Sequence, residues 1–263
     1  MTVYFGYFCA ILIGLVLGLT GGGGSILTVP VLVYIMGLNP VTATAYSLFI
    51  VGTTSAIGTL RNIKKGLVEI KTGVLYAIPS LIGVFISRKF IISTIPSEII
   101  WSDDVIVSKD ALLMLAFAMV IFAVAISILR KKDPKPGRRE RKESVFLVTL
   151  KLFFAGILVG IVGAGGGFLF TPLLLYVAKL PMKKAVATSL LIIAINSLLG
   201  FTGDIGNIAI DWMFLLTFSL FSIIGIFIGI YLNRFINEKQ LKTGFAWFVL
   251  AVAVFIFTRE IVF

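Results

Sequence analysis

Hydrophobic positions in this chain fall in unbroken runs, without the strict alternation of a strand or the one-sided stripe of a helix that meets water. Five runs fill the first half, at residues 4–20, 26–38, 41–60, 72–92 and 111–129. Five more fill the second half, at 146–162, 168–180, 185–201, 212–232 and 241–258. Most approach the roughly 20 residues that a helix needs to cross a bilayer, and the short segments between them hold nearly all the Lys and Arg. The pattern predicts an all-α fold, a polytopic bundle of transmembrane helices. The second run of each half is only about 13 residues, some 20 Å of helix, which falls short of a hydrocarbon core of about 30 Å. It does not span alone.

The runs repeat. A single offset of 142 residues, without a gap, lays GLVLGLTGGGGSILTVPVLVYIMGL from Gly14 over GILVGIVGAGGGFLFTPLLLYVAKL from Gly156. It also pairs Ala45 with Ala187, Ser47 with Ser189, Ser55 with Ser197, Gly58 with Gly200, and Gly83 with Gly225. The chain therefore divides into a transmembrane repeat at 1–130, a basic linker at 131–145 and a second repeat at 146–263.

Charge orients the halves. The linker is rich in Lys and Arg and is expected in the cytoplasm, which puts the basic loop 61–71 on the same side and the acidic stretch 97–110 outside. In the second half the signs exchange. The counterpart of loop 61–71 carries Asp204 and Asp211 and no cation, while Lys179, Lys183 and Lys184 replace Gly37, Val41 and Thr42. Equivalent loops then face opposite sides, which makes the two units inverted-topology repeats with both termini outside.

Composition narrows the chemistry. The chain is 59% hydrophobic and 13% charged, with a mean hydropathy of +1.10, which places its bulk in lipid. Its net charge of +11 sits at the ends of runs, facing anionic lipid and calling for no nucleic-acid partner. The first run lacks a basic leader and enters a glycine cluster, so it is expected to stay in the mature fold. The one cysteine, Cys9, lies inside a run and is expected to pack there. Without histidine there is no His-ligated haem, no usual catalytic zinc site and no Ser-His or Cys-His nucleophile, so no enzyme, cofactor or metal is expected. No phosphate-binding GxxxxGK[ST] loop marks an ATP-driven pump.

The candidate site follows from the glycine-broken hairpins. TGGGGS at 20–25 and GAGGGF at 163–168 each precede a proline, Pro30 or Pro172, in what should be the first turn of a short helix. A helix that starts within the membrane presents free N–H groups and a partial positive charge, an anion site that needs no basic side chain. Gly22, Gly23, Gly24, Ser25, Gly165, Gly166 and Gly167 are therefore candidate substrate-binding residues. The alternative is that the glycines serve tight helix packing alone. Polar groups of the third runs join them: Thr53, Thr54 and Ser55 in one half, Asn196 and Ser197 in the other, with Ser47 and Ser189 as weaker candidates. Asn196 stands out because a buried amide needs a partner and can donate to an anionic oxygen. Arg61, Lys71 and Asp204 lie at the ends of runs and read as interfacial charges. No charged residue occupies the middle of a run, so no proton-relay carboxylate is expected.

The paired GLTGGGGS…P and GIVGAGGGF…P segments, the AVATSLLI run at 185–192 and the basic linker resemble the sulfite exporter TauE/SafE family. The resemblance covers nearly the whole chain. It implies a multi-pass protein of a bacterial or archaeal inner membrane that moves sulfite, other sulfur-containing or organosulfonate anions, or small carboxylates. A secondary transporter is expected, with an anion channel or a non-transporting scaffold as the alternatives.

Overall fold

A computed structural model describes residues 2–96, 98–102, 105–130, 144–236 and 238–262. Residues 131–143 of the basic linker and the acidic pair Asp103 and Asp104 lie outside the described residues. The first half consists of α1 (Thr2–Thr20), α2 (Ser25–Pro30, continuing as a π-helical turn Val31–Ile35), α3 (Pro40–Ile63), α4 (Ile70–Ile86, continuing through a π-helical turn Ser87–Ile91 to Thr94) and α5 (Lys109–Arg130). The second repeats the order as α6 (Val145–Val162), α7 (Gly167–Tyr176), α8 (Met182–Thr202), α9 (Trp212–Leu232) and α10 (Glu238–Val262). Five of these helices, α3, α4, α5, α8 and α9, are long and apolar enough to cross a membrane. The predicted helical bundle stands, with one addition: between α4 and α5 a small antiparallel ribbon pairs β1 (Glu98–Ser102) with β2 (Val105–Ser108).

Local chemistry sets the helix starts. Asn39 accepts a hydrogen bond from the Thr42 N–H at 2.8 Å and Pro40 supplies the first turn of α3. Asp211 does the same for α9, accepting from the Phe214 N–H at 3.0 Å. The prolines of the short helices depart from expectation. Pro30 and Pro172 are each the sixth residue of their helix, inside it rather than in its first turn. Without an N–H at Pro30 the backbone ladder loses one bond, and α2 widens at once into its π turn.

Helices pair across the halves. α1 lies along α9, α4 along α6, α3 along α8, and α5 along α10. The first two pairs approach backbone to backbone through glycines spaced by four: Gly14 and Gly18 against Ser222 to Ile230, and Gly156 and Gly160 against Ser80 to Ser87. In both pairs residue numbers rise together, so the helices run parallel. In the central pair they run oppositely, with Gly52 of α3 against Leu198 of α8 and Gly58 against Leu190. α2 folds back along α1, bringing Met36 against Gly6. Each first pair of helices is thus a hairpin with a long outgoing arm and a short return.

Burial separates the layers. About two-thirds of α3 and nearly three-quarters of α8 are buried, against a third of α5. Apolar residues of α4 and α9 such as Leu75, Ile78, Leu216 and Leu220 are exposed, as lipid-facing positions are. Polar side chains gather instead on α3 and α8, at the centre.

Candidate functional site

The two glycine turns meet. A Cβ on Gly22 would overlap the backbone of Gly167, and one on Gly167 would overlap Gly22. Each tip also reaches the third helix of the opposite half, Gly21 against Val186 and Ser189, Gly163 against Thr44. Ser189 donates to the Gly21 carbonyl, and Thr171 donates to Ser189 at 2.9 Å, which locks the first tip onto α7 and α8. Gly165 (φ +64°) wedges between α3 and α8, where a Cβ would lie 2.6 Å from Val51 and 3.1 Å from the Ser197 hydroxyl. Only glycine adopts that conformation without strain in so little space. Close packing and a membrane-depth turn are here one arrangement.

Some predicted donors are already engaged. The Gly23 N–H donates to Thr20 Oγ1 at 2.7 Å and the Gly166 N–H to the Ala164 carbonyl at 2.7 Å. Gly24 caps α2 and packs against Leu17 of its own hairpin, and the Ser25 hydroxyl donates back to the Gly22 carbonyl at 2.6 Å. Thr53 is half-buried and bonds the Phe49 and Ile50 carbonyls of its own helix at 2.8 and 3.0 Å, the back-bonding habit of helical threonine. The Ser25 and Thr53 hydroxyls are therefore already partnered.

Other predicted residues are buried with polar atoms unpartnered. Thr54, Ser55, Asn196 and Ser197 are fully buried, and Thr54 Oγ1, Ser55 Oγ, Asn196 Oδ1 and Ser197 Oγ have no hydrogen-bond partner. Asn196 Nδ2 donates to Ser80 of α4 at 2.8 Å, while the Ser80 hydroxyl donates to the Tyr76 carbonyl at 2.8 Å. One amide hydrogen of Asn196 and its carbonyl oxygen remain for a ligand or water. Leaving a buried polar group unpaired costs about 1–3 kcal/mol, so these atoms call for a polar partner, as do the buried hydroxyls of Ser47 and Thr59 on α3 and of Ser219 and Ser222 on α9.

The structure also corrects the reading of charge. Asp204 is not interfacial: it is 5% exposed, with Oδ2 3.0 Å from Nε of Arg88, which is itself 1% exposed. Arg88 Nη1 donates to Thr44 Oγ1 at 3.1 Å, which places the guanidinium beside the tip at Gly163. A buried charge pair exists near the end of α4, where none was expected. Its sequence signal was basic residues, Arg88 and Lys89, inside rather than beyond the fourth run, and Arg88 is a buried member of the π turn at Ser87–Ile91.

A second pair of contacts ties the halves together. The Asp211 N–H donates to Tyr46 Oη at 2.6 Å, and the Glu69 N–H donates to Thr188 Oγ1 at 3.0 Å. The repeat offset relates Tyr46 to Thr188 and Glu69 to Asp211, so these are the same bond made twice with different side chains.

The sequence profile of the sulfite exporter TauE/SafE family matches residues 7–256, all ten helices in whole or in part. The chain belongs to that family. Among curated proteins, a probable membrane transporter protein of Xylella fastidiosa (strain 9a5c) is 29% identical over 256 residues, 95% of this chain and 92% of that protein. The probable membrane transporter protein YunE of Bacillus subtilis is 29% identical over 251 residues, 89% of each. A shorter match, 33% over 124 residues, links 43% of this chain to the probable membrane transporter protein MJ0441 of Methanocaldococcus jannaschii. No solved structure matches the chain. Family and relatives are those of multi-pass membrane transporters and not of enzymes.

Proposed function

We propose that this TauE/SafE family member is a secondary carrier of small anions that works by alternating access, with its site where the glycine turns meet between α3 and α8. The observation that carries this reading is the set of buried, unpartnered polar atoms on Thr54, Ser55, Asn196 and Ser197 of α3 and α8, with the Ser197 hydroxyl against the Gly165 turn. Hydroxyl and amide donors, with the N-terminal end of α7 starting at Gly167, suit an oxyanion. The substrate class is sulfite, another sulfur-containing or organosulfonate anion, or a small carboxylate.

Alternating access is supported by the running directions. Equivalent helices α3 and α8 run antiparallel, while α1 and α4 run parallel to the partners α9 and α6, the order expected of two units inverted in a membrane. With the linker in the cytoplasm of a bacterial or archaeal cell, loop 64–69 is cytoplasmic and the 203–211 loop lies outside. Cysteines at Lys64 and Asn207, both exposed, test this in a Cys9→Ala background: an impermeant thiol reagent on intact cells should label only position 207.

The deciding experiment is flux of radiolabelled sulfite into proteoliposomes, challenged with thiosulfate, sulfoacetate, sulfate and acetate. Saturable uptake with competition supports a carrier and ranks its substrates. Sustained single-channel currents would replace it with a channel, and neither flux nor competition would sink the anion reading.

A further inference from the structure

We infer that Arg88 and Asp204 form the proton-coupling element of this carrier: the anion takes the place of the Asp204 carboxylate on Arg88, and Asp204 takes up a proton as it leaves. The inference rests on the carrier reading above and adds to it a coupling ion, a stoichiometry and two residues outside the central cluster.

The geometry of the pair is unusual for a structural salt bridge. Arg88 is fully enclosed, yet of its guanidinium nitrogens only Nη1 makes an aligned hydrogen bond, to Thr44. Nε lies 3.0 Å from Asp204 Oδ2 without hydrogen-bond alignment, and Nη2 has no partner. Nε and Nη2 share the edge of the guanidinium that takes two oxygens of one oxyanion side by side. That edge is held by a carboxylate that does not fill it. A sulfur oxyanion or carboxylate has the geometry to fill it, and Thr44 brings the site to the Gly163 tip of the second turn.

Electroneutrality of the enclosed site then calls for the proton. Arg88 and Asp204 sum to zero, and among the described residues no other charged group stands within ion-pairing distance of either. Lys89, the next residue of α4, lies over the rings of Phe85 and Phe90. Asp211 caps α9, and the Tyr46 hydroxyl from α3 is engaged with Asp211. α6 and its tip present no charged side chain here. A monoanion entering on Arg88 while Asp204 stayed ionised would leave one uncompensated negative charge buried, which costs several kcal/mol. Protonating Asp204 as the anion binds keeps the enclosed charge at zero. The exchange predicts one proton carried with each monoanion.

The test compares two modes of sulfite movement in proteoliposomes holding the full chain. Counterflow against preloaded sulfite needs only loaded carriers to reorient, whereas accumulation driven by an acid exterior needs coupling. In wild type both should occur. Asp204→Asn, which mimics the protonated acid, should keep counterflow within about threefold of wild type, lose gradient-driven accumulation down to the level of protein-free vesicles, and flatten the pH dependence of counterflow. Asp204→Glu should restore accumulation with a shifted pH profile. Sulfite's own titration acts on all variants alike and cancels from the comparison. Wild-type accumulation in Asp204→Asn overturns the coupling role, and so does loss of counterflow together with accumulation in Asp204→Asn, which marks a structural clamp. If Asp204→Asn does not fold, Asp204→Glu decides: an unshifted pH profile overturns the inference. Absence of counterflow in wild type refutes the carrier reading itself, and the coupling with it.

Discussion

The two ends of the central helix pair share one backbone frame and differ in charge. On the side of the β ribbon the frame holds Thr44, Arg88 and Asp204; the repeat offset puts Val186, Ile230 and Asn62 at the same places on the linker side. Val186 and Ile230 are buried apolar residues. Both ends keep the bond from an acidic residue's N–H to a hydroxyl of the opposite half, Tyr46 at one and Thr188 at the other. The linker side has an ion pair too, Lys184 with Glu69, but both side chains are 40% exposed. The two ends thus share one skeleton, while the buried charge pair lies at one of them only.

That contrast can be broken. The largest effect on flux is expected at what the ends share, the turns between them. Gly165→Val forces a branched side chain into a left-handed backbone 2.6 Å from Val51; sulfite flux should fall at least about a hundredfold while the protein still inserts, as surface labelling would show, a loss of roughly 3 kcal/mol in function. Unimpaired flux would remove the turn from the site.

Next comes the buried pair. Arg88→Gln strands a carboxylate and should destabilise the protein in detergent by about 3–5 kcal/mol, read from thermal unfolding. Adding Asp204→Asn should recover most of it, and a double variant as unstable as the single one would deny that the two residues interact. At the linker end, Ile230→Val should cost only about 1 kcal/mol, as a trimmed methyl does.

A smaller effect separates the predicted polar residues. Asn196→Ala removes the amide bonded to Ser80 and should cut flux about tenfold with a stability loss of about 1–2 kcal/mol. Thr53→Ala, whose hydroxyl only bonds its own helix, should leave flux unchanged and stability within about 0.5 kcal/mol. Equal losses of flux would show that burial without a partner does not mark the site.

The least effect tests the shared bonds. Thr188→Val removes one acceptor and should cost about 1 kcal/mol, and Tyr46→Phe, whose hydroxyl also donates to the Ala209 carbonyl at 3.3 Å, should cost about 1–2 kcal/mol. Lys184→Met, at the exposed pair, should cost no more than about 1 kcal/mol, and less in high salt.

Much of this was legible along the chain. Run lengths announce the helices, because lipid leaves the backbone no hydrogen-bond partner but itself. The offset that overlays Gly21 on Gly163 and Gly24 on Gly166 announces the paired hairpins, since consecutive glycines have few uses inside an apolar run. Asn196 and Thr54 were legible as polar groups at one depth. Which of the neighbouring hydroxyls turn inward was not: Thr53 and Thr54 differ by one residue, and only helix packing decides that one faces its own carbonyls and the other the core.

The charges show the boundary most plainly. Arg88 precedes Lys89 near the end of a run, and Asp204 follows α8 in a polar loop, so local pattern assigns both to the interface. They meet because α4 and α8 end together on one side, with Arg88 buried in a π turn, a contact across 116 positions that no periodicity encodes. The sequence alone determined a duplicated, membrane-embedded helical protein of the TauE/SafE family with two glycine turns, since those follow from hydrophobicity and backbone freedom, which each residue carries with it. Only the tertiary structure decided that the turns abut at Gly22 and Gly167 and that a charge pair is buried beside one of them, because burial is a property of neighbours.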